Sequence, residues 1–284
     1  MNLLLLNTIK SNLTYPKIIT GKYGIRYLVF KKSALDFHIL KNGIIGDWIA
    51  KYGHLVISHG DTIFDIGANV GLLTLPFSVE FAPMGRIYAF EPDPENIGQL
   101  YANIAINNCK NIQVMPIALQ NKAKDRLQIF SIRRSIDGDG NENRGISTLE
   151  NVRKHTRERI SIPVSTIDNV VKRLKVKNVN LIKIDVEGSE YKVLQGGLHT
   201  IKSLKPRILY EFSPSIDKLI NKNNSVHTYK LINNLGYSQY ILIGENQVYK
   251  ITNPATNLPD SNIICFPNKR VPSIIKQLAS NKMI

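Results

Sequence analysis

The stretch DTIFDIGANVG, residues 61–71, constrains the fold of this chain more than any other. Its first half is a short, mostly apolar run typical of a buried strand. Its second half places two glycines and an asparagine within five positions, where a chain turns sharply or approaches another group closely. The stretch therefore predicts a strand over 62–66, a tight turn, and a helix over 70–81.

Beyond this stretch, short apolar segments alternate with amphipathic ones. Such alternation is typical of βαβ units, and it predicts an α/β fold with a mostly parallel sheet and helices on both faces. Ligands of such sheets bind at the carboxyl ends of the strands. The further predicted strands cover 86–90, 112–117, 127–132, 179–184 and 208–212, and the further helices cover 166–174, 189–201 and 225–235.

The best-marked helix follows residue 93. Asp93 is a good N-cap, Pro94 suits the first helical position, and Asn107-Asn108 ends the segment. Apolar residues at helical spacing predict one stripe that faces the sheet. The stripe consists of Ile97, Leu100, Tyr101, Ile104 and Ala105.

The rest of the chain defines the predicted domains. Residues 1–60 read as an N-terminal cap region, and residues 61–284 as the main domain, with a loop-rich insertion near 120–165. Within the insertion, residues 137–145 are rich in Gly, Asp and Asn. They predict an exposed loop that either covers a substrate or is a tolerated surface insertion. Extended segments near 240–251 predict a closing hairpin.

The composition adds a charge argument. The chain is 43% hydrophobic, as soluble proteins are, but its net charge is +15. That excess favours anionic partners, although it also fits a general lysine bias, because no single basic block dominates. The charge leaves open a peripheral contact with an anionic membrane surface. No uninterrupted apolar run is long enough to span a membrane. The two cysteines have no metal-ligand spacing, which favours a reducing, cytoplasmic location.

The glycine turn also carries a charge. The pattern is D-x-G-x-N-x-G, with Asp65 at the end of the strand, and it differs from the G-x-G-x-x-G of dinucleotide sites. A pyrophosphate disfavours a neighbouring carboxylate, whereas a ligand with an amino group and a sulfonium favours one. We therefore expect Asp65 to point into the crevice toward such a cation, S-adenosylmethionine, and Asn69 to cap the next helix.

Two later stretches place acidic residues at strand ends. Glu91 lies about 20 positions beyond Gly71, where an acidic residue can accept hydrogen bonds from ribose hydroxyls. In LIKIDVEGSE, period-two alternation puts Lys183 and Asp185 on one face, and Glu187 follows at the strand end. Buried strand ends seldom collect this much charge for packing alone.

These motifs together resemble the FkbM family of S-adenosylmethionine-dependent methyltransferases. The similarity rests on DIGANVG, FEPDPENIGQLYANIAINN, ISIPVSTIDNV, LIKIDVEGSEYKVLQGG and PRILYEF, and it spans about residues 61–212. The resemblance implies a class I methyltransferase fold, a seven-stranded sheet with one antiparallel strand. It also implies O-methylation of hydroxyls on sugars, polyketides or other secondary metabolites.

The resemblance implies site residues by position. Asp65, Gly67, Ala68, Asn69 and Gly71 correspond to the cofactor loop, Glu91 to the ribose acceptor, and Ala118 to the backbone near the adenine. Asp185 and Glu187 correspond to the acidic signature beside the reacting centre. Pro76 departs from the pattern, and we expect it to kink the first helix.

For the chemistry, we expect Asp185 or Glu187 to accept the proton of the acceptor hydroxyl, with Lys183 orienting the substrate or tuning a carboxylate. His155 and His199 are weaker candidates for the base. No repeated ligand spacing indicates a metal, so none is expected, although two carboxylates and an Asn can hold Mg²⁺.

Two other functions stay open at this point. The positive charge suggests an RNA methyltransferase, but no basic strip interleaved with aromatic residues supports nucleic-acid binding. A protein that binds the cofactor without catalysis is the second alternative. The Asn and Asp in the glycine turn disfavour an NAD-dependent enzyme.

Overall fold

A computed structural model describes residues 16–30, 47–123, 127–132, 135–136, 142–143, 158–220, 222–243, 247–253 and 258–279. His155 and most of the predicted covering loop at 137–145 lie outside the described residues, so these two predictions stay open.

Strands and helices alternate along most of the described chain. The strands are β1 (Lys17–Thr20), β2 (Arg26–Val29), β3 (Thr62–Ile66), β4 (Arg86–Phe90), β5 (Ile112–Met115), β6 (Ala118–Leu119), β7 (Gln128–Ile132), β8 (Ser135–Ile136), β9 (Glu142–Asn143), β10 (Glu158–Ile162), β11 (Val164–Ser165), β12 (Leu181–Ile184), β13 (Arg207–Phe212), β14 (Tyr237–Ile243), β15 (Gln247–Lys250) and β16 (Ser261–Pro267).

The helices are α1 (Asp47–Val56), α2 (Thr74–Pro76, continued by the π-helical segment Phe77–Phe81), α3 (Pro94–Ile106), α4 (Ile167–Leu174), α5 (Glu190–Gln195), α6 (Leu198–Leu204), α7 (Pro214–Ile220), α8 (Asn224–Asn234) and α9 (Ser273–Ala279). Two short 3₁₀ turns lie at Lys22–Gly24 and Asn268–Arg270.

The main sheet has eight strands in the order β15-β14-β16-β13-β12-β3-β4-β5. The five strands from β13 to β5 are parallel, and β16 inserts antiparallel between β13 and β14. The α/β class with a mostly parallel sheet is confirmed, but the strand count of seven is wrong. The extra strand is β15, which pairs antiparallel with β14 and adds an edge.

Apolar residues cover both faces of this sheet. Ile63 of β3 and Leu209 of β13 pack into one buried cluster on one face of the sheet. Their neighbours Phe64 and Tyr210 pack into a second buried cluster on the other face. Parallel strands buried on both faces are typical of sheets with helices on either side.

Helix α3 buries a more polar face than its sequence predicts. Its N-cap is confirmed, because the Asp93 side chain accepts the Glu95 N–H. The apolar stripe is wrong in part, since Tyr101 is 52% exposed. Three amide side chains pack there instead, and they hydrogen-bond the backbone groups on the edge of β2 that does not pair with β1. Asn107 accepts from Arg26 N, Asn103 accepts from Leu28 N at 2.7 Å, and Gln99 donates to Leu28 O.

Two predicted helices differ in their bounds. The helix predicted from residue 70 begins at Thr74, so Pro76 lies in its first turn, where a missing N–H costs no hydrogen bond. The kink we expected there is replaced by π-helical turns. The helix predicted over 189–201 is divided at Gly196 and Gly197 into α5 and α6. A Cβ on Gly196 would lie 2.0 Å from the Gln120 carbonyl oxygen, so this break packs too closely for any other residue.

This topology brings the carboxyl ends of β4, β3, β12 and β13 together at one edge of the sheet. We call it the carboxyl edge. Among the described helices, none combines the length and the apolar character needed to cross a bilayer.

Candidate active site

The glycine turn after β3 is fixed by the neighbouring strand. The backbone N–H groups of Gly67 and Ala68 both donate to the carbonyl of Phe90, at 2.9 and 3.0 Å. Gly67 and Gly71 have φ of +79° and +95°, values that favour glycine. Asn69 does not cap α2, contrary to prediction, because its side chain accepts from Val70 N and the helix starts five residues later.

Glu91 ties this turn to the end of β4. One carboxylate oxygen accepts from Asn69 N at 2.8 Å, and the other accepts from Asp93 N at 2.9 Å. The side chain is 5% exposed, and burial raises the pKa of Glu91 to about 7. Glu91 therefore lies beside the glycine turn and holds its backbone, while its predicted role as ribose acceptor stays a prediction.

Asp65 has a different environment from the one we expected. Its side chain is fully buried rather than pointing into the crevice. One oxygen accepts a 2.5 Å hydrogen bond from the Thr74 hydroxyl, and the other lies 3.1 Å from the Lys183 ammonium. The chain itself thus supplies a cation to Asp65.

Lys183 reaches from β12 to two more oxygens. Its ammonium donates to the Gly67 carbonyl at 2.7 Å and lies 3.7 Å from Asp185 Oδ2. Burial lowers the pKa of Lys183, but the nearby charges of Asp65 and Asp185 raise it by a larger amount. The pKa of Lys183 therefore lies above its ordinary value. The ammonium stays charged and joins the glycine turn to the end of β12.

The turn after β12 is held from two sides. Glu187 and Gly188 both adopt positive φ, +55° and +92°. From one side, Glu190 Oε1 accepts from Val186 N at 3.0 Å and Gly188 N at 3.3 Å. From the other side, the Asn224 amide of α8 donates to the Gly188 carbonyl. A left-handed Glu costs about 1–2 kcal/mol relative to a right-handed one, so these contacts hold Glu187 in a conformation it would otherwise avoid.

Three carboxylates meet at this edge. Asp185, Glu187 and Glu211 of β13 each offer an oxygen within 4.8 Å of the others. Burial, followed by the charges of Asp185 and Glu187, raises the pKa of Glu211 to about 10. The raised pKa favours the protonated form of Glu211, which can donate a hydrogen bond. Clustered carboxylate oxygens are also the ligands that Mg²⁺ and Ca²⁺ prefer.

The remaining predicted residues lie at different distances from this centre. Ala118 begins β6 after the third parallel strand, and its N–H donates to the Pro163 carbonyl. His199 is exposed on α6, where its backbone N–H donates to Asp168.

Sequence reasoning missed three residues of the site. Glu211 is the last residue but one of β13, in the motif RILYEF, and an acidic residue at a strand end is the signal that selected Glu91 and Asp185. Thr74 bonds Asp65 across the glycine turn, and Glu190 bonds the backbone of the turn after β12. Both bonds depend on turn geometry, and no spacing rule identifies them.

Several known proteins are similar in sequence to this chain. Residues 65–238 match the sequence profile described as the methyltransferase FkbM domain. The 31-O-demethyl-FK506 methyltransferase FkbM of Streptomyces tacrolimicus is 30% identical over 156 residues, 48% of this chain and 59% of that protein. Methyltransferase 1 of Beauveria bassiana is 27% identical over 150 residues, 47% of this chain and 57% of that one. The matches thus span less than two thirds of these relatives.

Among solved structures, the methyltransferase FkbM of Methylobacillus flagellatus aligns with 93% of this chain and 58% of its own, at a TM-score of 0.47 and 16% identity.

Proposed function

This chain belongs to the FkbM family of methyltransferases, and on that premise we propose that it transfers a methyl group from S-adenosylmethionine to a hydroxyl of a sugar, glycan or other secondary metabolite. The observation that carries the proposal is the carboxyl edge itself. There, the glycine turn after β3 lies between the carboxylates of Glu91, which follows β4, and Asp185, which follows β12.

The donor side fits a ligand with a ribose and an amino group. Glu91 offers oxygen lone pairs next to the turn, and Asp185 offers a carboxylate whose side chain is 41% exposed. These two acceptors, with the backbone of residues 67–71, are the groups we propose to hold the donor. Ala118 is proposed to support its base. S-adenosylmethionine, when bound, supplies a methyl group on a positively charged sulfur.

We assign separate roles to the two carboxylates after β12, one toward the donor and one toward the acceptor. Asp185 adjoins both the Lys183 ammonium and the glycine turn, so we assign it to the amino group of the donor. Glu187 lies two residues further, in the turn that Glu190 and Asn224 hold, and we assign it the proton of the acceptor hydroxyl. Alignment of that hydroxyl by the turn would supply much of the rate.

A metal ion is not part of the proposal, although three carboxylates could hold one. Activity measured after chelation decides this point. Full activity in excess chelator supports a proton-transfer role for Glu187, and loss that Mg²⁺ restores would replace it with metal assistance.

The proposed function is tested with labelled S-adenosylmethionine and an extract of small hydroxylated molecules. Native protein should label an acceptor, and Glu187→Gln should still bind S-adenosylhomocysteine but transfer no methyl group. Label in RNA would favour the RNA methyltransferase alternative instead. Tight donor binding without any labelled product would favour the non-catalytic alternative.

The location of the positive charge supports a separate proposal about partners. Residues 169–184 and 191–210 contain no Asp or Glu. Exposed cations lie near the ends of α4 and α6, before β12 and β13 begin, and so at the edge opposite the carboxyl edge. This basic surface consists of Lys172, Arg173, Lys175, Lys177 and Lys202.

We propose that the basic surface contacts anionic lipid from the cytoplasm, because clustered lysines near such a membrane contribute about 1 kcal/mol each. Flotation with phosphatidylserine vesicles tests this. Lys172→Ser with Lys175→Ser and Lys177→Ser should abolish flotation, whereas Lys17→Ser with Lys22→Ser, also exposed, should not. Equal flotation of both variants would contradict the assignment.

A further inference from the structure

Asp65 and Thr74 form a buried pair that sequence reasoning did not anticipate. Thr74 is fully buried and its hydroxyl donates to Asp65 Oδ2, while Asp65 Oδ1 faces the Lys183 ammonium at 3.1 Å. Both oxygens of Asp65 therefore face groups of the chain itself. A fully buried carboxylate so placed has no surface left for a ligand.

The ammonium of Lys183 lies near three oxygen groups. It lies 3.1 Å from Asp65 and 3.7 Å from Asp185, and it donates to the Gly67 carbonyl between them. A buried cation is held by the opposite charge nearest to it. Without Asp65, the ammonium would pair with Asp185 and move away from Gly67.

From this geometry we infer that Thr74 and Asp65 are positioning residues that act through Lys183. Thr74 orients Asp65, Asp65 holds the ammonium, and the ammonium fixes the Gly67 carbonyl while leaving the exposed part of Asp185 for the donor. The inference rests on the proposed function, which assigns the donor's amino group to Asp185. It replaces the expectation that Asp65 meets that group directly.

Thr74 offers the mildest test, because Thr74→Val keeps the shape and removes only the hydroxyl. Binding of S-adenosylhomocysteine is measured by calorimetry, and thermal unfolding of the free protein is measured alongside it. A hydrogen bond to a charged group corresponds to about a tenfold change in an equilibrium constant or somewhat more. We expect about a tenfold weaker affinity for Thr74→Val and near-native affinity for Thr74→Ser. Native affinity in a Thr74→Val protein that merely unfolds earlier would overturn the inference.

A double substitution separates indirect from direct action of Asp65. Asp65→Asn alone lets the ammonium move toward Asp185, Lys183→Met alone leaves the Asp65 carboxylate buried without its cation, and each should weaken binding. If Asp65 acts through Lys183, the combined Asp65→Asn, Lys183→Met protein should bind better than the product of the two single effects predicts. Strictly multiplicative losses would indicate direct contact of Asp65 with the donor and refute the inference. Failure of the proposed function differs from both results: native protein would then either bind no S-adenosylhomocysteine, or bind it with the predicted mutant effects but transfer no methyl group.

Discussion

Gly67 packs so tightly against Asp185 that a Cβ atom built on Gly67 would lie 1.8 Å from the Asp185 carbonyl oxygen. The Asp185 N–H also donates to the Ile66 carbonyl at 3.0 Å. The turn after β3 and the turn after β12 are thus one unit. A change in either turn should alter donor binding and acceptor chemistry together.

Gly67→Ala is the direct test of this contact. The new methyl would meet backbone atoms that cannot rotate away, and φ of +79° disfavours alanine. We expect the free energy of unfolding to fall by more than about 2 kcal/mol and donor binding to be lost. The control is Gly98→Ala on α3, where nothing lies within 4 Å and alanine should stabilise the helix by about 0.5–1 kcal/mol. Equal melting temperatures for the two variants would contradict the prediction.

Glu91→Gln should weaken donor binding without unfolding the protein. Each carboxylate oxygen of Glu91 accepts a backbone N–H, but glutamine has only one acceptor oxygen. One N–H would face an amide N–H, at a cost of about 1–3 kcal/mol, and the glycine turn would loosen. Calorimetry with S-adenosylhomocysteine should show at least about a tenfold higher Kd. Glu95→Gln, which removes the same charge from an exposed position of α3, should leave Kd unchanged.

Glu190 should make stability depend on pH. Burial raises its pKa from 4.5 to about 7 in the folded protein. Between these values Glu190 holds more protons in the folded state than in the unfolded state, so its contribution to stability is greatest below pH 4.5 and is lost as pH rises through 7. The loss from this group is at most about 3 kcal/mol.

Glu190→Gln isolates that contribution. Both backbone N–H groups donate to Oε1, which a glutamine retains. Denaturant unfolding at pH 5 and pH 8 should therefore show a smaller difference in the variant than in the native protein. The same pH dependence in both proteins would assign the effect to other groups.

The parallel half of the sheet could be predicted from sequence because its signals are local. Strands β3 and β4 are short apolar runs closed by a Gly turn or a Glu-Pro pair, and both were predicted with the bounds they have. Glu91 and Asp185 each follow a predicted parallel strand. Their position at one edge of the sheet could therefore be predicted from the topology. Strand β16 was missed, because its apolar run does not reveal that it inserts between β13 and β14.

The burial of Asp65 could not be predicted from sequence. A carboxylate at a strand end is compatible with a ligand or with an internal partner, and here Lys183 lies in register with it on the neighbouring strand. Similarly, the face of α3 depends on Asn103 and its partner β2, which precedes it by about 75 residues. In both cases a polar contact distant in sequence decided a position that local patterns had assigned differently.

Arg207→Met should destabilise the protein and spare the site. The guanidinium lies at the start of β13, where it contacts Asp61 at 2.5 Å and donates to the Val56 carbonyl. Removing one partner of a buried ion pair costs about 3–5 kcal/mol, and this partly exposed pair should cost less. The melting temperature should fall while the Kd for S-adenosylhomocysteine stays native, since the contact lies opposite the carboxyl edge. A weaker Kd would show that the two edges are coupled.

The hairpin of β1 and β2 should support the glycine turn through Asn103. Asn103 is fully buried, accepts from Leu28 N, and donates to the Val70 carbonyl at 2.9 Å. Asn103→Leu keeps the volume but leaves both backbone groups unpaired, at about 1–3 kcal/mol each. We expect faster hydrogen exchange over residues 17–29 and weaker donor binding.

Asn107→Leu is the matched control, because the Asn107 side chain hydrogen-bonds the backbone of Arg26 and of Asn103 rather than the glycine turn. It should free the start of β2 for exchange while the Kd for S-adenosylhomocysteine stays native. Comparing the two variants separates support of the glycine turn by Asn103 from attachment of the hairpin to α3 by Asn107. If both variants weaken binding equally, the hairpin supports the site as a whole rather than through Asn103. If neither does, the hairpin only covers α3, and the glycine turn is held by Glu91, Lys183 and the Phe90 carbonyl without help from Asn103.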